Sequence, residues 1–196
     1  MPEIDIALPS QVPADLAELI QAAPLPGLGA GPKCPATFGR VQALLRKHPR
    51  LAGTVTEAAI WLLAGELDRS HEVSQSIESP EAAYWHGIMH RREGDFWNAK
   101  YWFRKVGKHP VFSELAGEIG QLKSGVGSAS EQERMVGQPS SNFCSHIHPD
   151  LSDAAKLSSA LVDDCERALA SHSPQTTPLQ RICWLEWQFL FRYGWD

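Results

Sequence analysis

The apolar residues of this chain recur at three- and four-residue spacing, the period of an α-helix buried along one side. Strand signals are scarce. There is no Asn-Gly or Asp-Gly hairpin turn and no sustained alternation of apolar and polar positions. The spacing predicts helices over 14–22 and 38–47, four more between Thr54 and Gly107, and then 112–122, 152–170 and 178–193. The expected fold is all-α: antiparallel helical hairpins in an array or bundle of seven to nine helices, in one domain over 1–196.

Local chemistry marks several of the boundaries. Thr54 followed by Glu57 reads as a capping box. Ser79-Pro80-Glu81 combines a cap, a proline at the first helical position and a first-turn acid. Gly94-Asp95 ends one helix and opens the next, and Gly107 reads as a left-handed cap before His109-Pro110. The stretch 24–32 is a Pro/Gly loop without the Lys-Ser/Thr ending of a phosphate loop. From Ser124 to Ser141 the chain is rich in Gly, Ser, Gln and Glu, so a flexible loop is expected over about 124–150. The last helix is apolar nearly all round, which predicts that it docks in the core.

The central hairpins resemble tetratricopeptide repeats. In the second, the family's small first-helix residue falls on Gly87, its turn on Gly94-Asp95, and its second-helix Ala and Phe on Ala99 and Phe103. In the first, Ala58, Trp61, Gly65 and Ser70 take the matching places. The family's first-helix Trp, Leu and Tyr fall instead on Ala83, His86 and His90, and 29 positions rather than roughly 34 separate Gly65 from Gly94. The resemblance covers about a quarter of the chain and implies a protein-binding role. The block from Ser70 to Phe112, with Tyr84-Trp85-His86, Met89-His90-Arg91-Arg92-Glu93 and Asn98-Ala99-Lys100-Tyr101-Trp102-Phe103-Arg104, also resembles a family of bacterial and fungal proteins that brings no activity with it.

Composition narrows the class. Hydrophobic residues make up 43% and charged residues 21%, which excludes a collagen, a wholly disordered chain and a disulfide mini-protein. The longest apolar stretch, 58–64, is too short to cross a bilayer. The N-terminus carries no basic segment followed by an apolar core, and Cys34, Cys144, Cys165 and Cys183 lie far apart. Free thiols and a cytoplasmic location are expected. The net charge of −5 argues against nucleic acid as a partner, yet the stretch 82–110 holds six Lys/Arg against Glu93 and Asp95.

Two constellations carry candidate chemistry. The first is a basic aromatic groove formed by Trp85, Arg91, Arg92, Trp97, Lys100, Tyr101, Trp102 and Arg104. Arg forks and aromatic faces suit a carboxylate-rich ligand, so the leading expectation is an interaction module for an acidic peptide, protein partner or small anion. The second is His86 and His90, which share a helix face at i and i+4, with Glu93 on the same stripe. His71 lies one helix earlier and approaches them if the two helices pack antiparallel. Three imidazoles and a carboxylate suit zinc or iron, or a catalytic pocket with a general base. A hydrogen-bonded structural network is the other reading of the same residues. Gly87 stands where a His-Glu-x-x-His metalloprotease needs its Glu, so that motif is absent. Cys144, His146 and His148 form a third, looser group of soft ligands.

Overall fold

A computed structural model describes residues 6–125, 153, 156–171 and 176–195. Nine α-helices lie among them, and no strand: α1 (Ala14–Ala22), α2 (Pro35–Lys47), α3 (Val55–Leu63), α4 (Leu67–Gln75), α5 (Pro80–Glu93), α6 (Phe96–Val106), α7 (Pro110–Gly125), α8 (Leu157–Ala170) and α9 (Thr176–Trp195). A short 3-10 turn, Pro49–Leu51, follows α2. None of these helices is long and apolar enough to cross a membrane. α7 continues past the expected loop start at Ser124. The rest of that segment, with Cys144, His146 and His148, lies outside the described residues.

The helix ends show which local signals act. The Ser79 hydroxyl accepts the Ala82 amide at 3.1 Å, satisfying one of the free N–H groups at the start of α5. Gly94 closes that helix at φ 90°, a left-handed conformation that costs a side-chain-bearing residue free energy. Asp95 then accepts the Asn98 amide at 3.1 Å and opens α6. The capping box expected at Thr54 does not form. Its hydroxyl donates backwards to the Leu51 carbonyl at 2.7 Å, while Glu57 accepts from the Gly53 amide at 2.7 Å and the Trp61 indole at 2.9 Å. Gly107 has positive φ, but its ψ of −137° is not that of a left-handed helical cap. Pro110, expected to mark a helix exit, begins a helix, as does Pro35 ahead of the expected start at Phe38, because the first helical position needs no amide hydrogen.

Helices α3 to α6 form a run of neighbours joined by short turns, each packed on the next, and α5 also touches α3 and α9. The α5–α6 crossing is close. A methyl group added at Gly87 would stand 3.2 Å from the Phe103 ring. Along α9 every residue from Trp184 to Leu190 is buried, as is Phe191, so this helix is an interior element rather than a surface stripe. Its aromatic rings stack in sequence, Trp184 on Trp187 at 5.1 Å and Trp187 on Phe191 at 5.0 Å. Buried apolar residues from all nine helices join in one hydrophobic cluster.

Candidate metal centre

The buried side of α4 runs through Leu67, Ser70 and Ser74, and His71 stands half-buried at its edge. The polar spacing of α5 sets His86 and His90 one turn apart and facing that edge. The structure brings the three imidazoles together. His71 meets His86 edge-on with ring centres 4.5 Å apart and meets His90 at 5.4 Å. His86 and His90 are stacked at 4.8 Å. One ligand nitrogen from each of the three lies within 4.8 Å of the others.

Their surroundings are unequal. Trp102 of α6 stacks flat on His86 at 3.9 Å, and His86 is only 2% exposed. Nδ1 of His86 is buried without a hydrogen-bond partner. Burial, with the neighbouring charges of His71, His90 and Lys105, pulls the His86 pKa down to about 3. The ring is therefore neutral at physiological pH and keeps a lone pair for a ligand bond. His90 is fixed by Glu93, whose carboxylate lies 2.5 Å from its Nδ1, leaving Nε2 as the free coordinating atom. Such a carboxylate on the remote nitrogen orients metal-bound histidines and raises their basicity. Asp95 lies close enough to form a second group with His90 and Glu93, but its oxygens already accept from Asn98.

The residues expected to line a basic groove are dispersed. Trp85 is in the core and Arg91 is 1% exposed. Arg91 pairs with Glu186 of α9, which is itself fully buried and also accepts from the Tyr84 hydroxyl at 3.2 Å. Neither Trp85 nor Arg91 faces a ligand from outside, because α9 covers that side of α5. Arg92 donates to the Leu62 carbonyl at 2.6 Å, and burial with the adjacent Arg91 charge lowers its pKa to about 10. Lys100 is tied to Asp163 of α8. Trp102 is taken by His86. Trp97, Tyr101 and Arg104 remain on the outer side of α6.

Two residues absent from the sequence reading complete this picture, Glu186 and Asp163. A single Glu between Leu185 and Trp187 on an apolar helix is the available signal, since a buried carboxylate requires a cation. Comparison of the chain with protein-family models, curated proteins and solved structures finds no match.

Proposed function

We propose that the protein binds one divalent transition metal ion of the zinc type through His71, His86 and His90, with Glu93 orienting His90 from behind. The observation that carries the reading is the convergence of three imidazoles, one of which, His86, keeps a buried ring nitrogen without a hydrogen-bond partner. Ser70 Oγ, Trp85 Nε1, Arg92 Nε and Gln188 Nε2 are also buried without a partner, but only the His86 nitrogen belongs to a group of converging imidazoles that could share an ion. In a tetrahedral zinc site ligand nitrogens stand about 3.3 Å apart, as follows from a Zn–N distance of about 2.0–2.1 Å. The rings must draw together modestly from the present spacing. His71, half-exposed and on its own helix, is the one with room to swing. A neutral three-imidazole set leaves a fourth position for water and does not offset the ion's charge, the condition for lowering the pKa of that water. Iron(II) would accept the same nitrogens.

The test is calorimetric titration of chelator-treated protein with zinc. The reading predicts one equivalent bound, and its loss in a folded His86→Ala variant. Folded wild-type protein that takes up no ion, or takes it up equally without His86, contradicts it.

A second reading rests on a separate observation. Trp97 is 72% exposed and stacks parallel to Tyr101 at 6.2 Å, with the Lys105 ammonium 4.7 Å over the Tyr101 ring. Arg104 and Lys108 are exposed nearby. This narrower basic aromatic strip suits an acidic peptide segment. Charge reversal at Arg104 and Lys105 should abolish capture of a Glu-rich peptide by folded protein, and unchanged capture removes the reading.

A further inference from the structure

The sulfurs of Cys165 and Cys183 face each other across α8 and α9 at 3.8 Å, and both are free thiols. Neither takes part in the metal centre. We propose that this pair is a dithiol site that exchanges reversibly with small-molecule disulfides, with Cys183 as the attacking thiol and Cys165 as the resolving one.

The assignment of roles follows from position. Cys165 has no exposed surface, whereas Cys183 is mostly but not fully covered, so of the two it is the one an incoming disulfide can approach. The sulfurs stand roughly 2 Å beyond the bonded S–S distance, a gap that side-chain rotation can close. The charge environment points the same way. The hydrogen bond with Cys165 holds the Cys183 thiol below its usual pKa, helped by the Arg91 and Arg92 guanidinium groups against burial and the Glu186 carboxylate. That same hydrogen bond, with burial, pushes Cys165 up. A partly accessible thiol of lowered pKa beside a fully buried one of raised pKa is the arrangement of an attacking and a resolving cysteine.

The exchange balances as follows. The Cys183 thiolate attacks one sulfur of a disulfide such as oxidised glutathione, forming a mixed disulfide and expelling one thiolate, which takes a proton from water. Cys165 then gives up its proton and its sulfur attacks the Cys183 sulfur, expelling the second thiolate, which is protonated in turn. Two protein thiols are oxidised to one disulfide, and one small disulfide is reduced to two thiols. The product closes an 18-residue span and ties α8 covalently to α9, three residues before Glu186.

The experiment is incubation of the full chain in glutathione buffers of graded oxidised-to-reduced ratio, followed by acid quenching and peptide mass mapping. The proposal predicts a Cys165–Cys183 linked peptide that rises with the ratio and disappears when reduced glutathione is added back. In Cys165→Ser the mixed disulfide should accumulate on Cys183, and in Cys183→Ser no modification should appear at Cys165. The wild-type map stands whether or not either variant folds. Wild-type protein in which both thiols remain free at every ratio, or in which glutathione stays on Cys183 without forming the bridge, overturns the proposal.

Discussion

Helix α5 carries two polar clusters on different sides, and they are completed in different ways. Toward α9, Arg91 meets Glu186, and Tyr84 adds a hydroxyl to the same carboxylate. That cluster is closed by the protein itself. Toward α4 and α6, His71, His86 and His90 converge, and a buried nitrogen is left over. Both clusters have lost most of their water. Only the first recovers, within the chain, the hydrogen bonds that burial removes. A cluster satisfied internally holds helices together. A cluster left short of a partner supplies binding capacity.

The strongest way to break this contrast is at the closed cluster. Glu186→Gln keeps the shape of the side chain and leaves the Arg91 charge unpaired in the core. A loss of about 3–5 kcal/mol in stability is expected, read from urea unfolding, because an uncompensated buried charge is among the costliest single changes. A loss below about 1 kcal/mol would mean that water reaches Arg91.

The open cluster should respond in affinity rather than in stability. Glu93→Gln removes the carboxylate behind His90 and should weaken zinc binding about 10–100-fold while leaving the unfolding of metal-free protein nearly unchanged. Competition with a chromophoric chelator measures it. The α5–α6 crossing supports the open cluster by holding Trp102 over His86. Gly87→Ala forces a methyl against the Phe103 ring and should cost about 1–3 kcal/mol in thermal unfolding.

Acid provides the mildest test. The folded chain holds His86 down to about 3, and burial lowers His109 as well. An unfolded histidine binds its proton near pH 6.5, so between that value and the lowered one the unfolded state carries protons that the fold refuses. Stability is then complete above about pH 6.5 and falls as pH drops below it, by about 1 kcal/mol per pH unit for His86, with His109 adding in the same direction. Metal-free protein that is equally stable at pH 7.5 and 5.5 would show that His86 is not held neutral. Zinc-loaded protein should lose stability more steeply across that interval, because protons compete with the ion for the same nitrogens.

The helices were legible in the sequence where capping is local. Ser79-Pro80 and Gly94-Asp95 act within four residues of themselves, and both boundaries stand where the pattern puts them. His109-Pro110 looks like a break, yet Pro110 begins α7, and Pro35 begins α2 three residues before the apolar pattern does, so both helices start earlier than expected. Of the site, the His86–His90 pair and Glu93 follow from spacing on one helix, whereas the approach of His71 depends on how α4 packs on α5. The expected basic groove is only partly present on the surface for a related reason. The fates of Arg91 and Lys100 are decided by Glu186 and Asp163, 95 and 63 positions away, and no periodicity within the stretch 82–110 reports them.

The central claim is that the open cluster is a metal site, and X-ray absorption at the zinc edge tests it most directly. After saturation and removal of excess ion, the account predicts one retained zinc per chain with nitrogen scatterers at about 2.0–2.1 Å and the multiple-scattering pattern of imidazole. An all-oxygen shell, or the absence of retained zinc in folded protein, would contradict it.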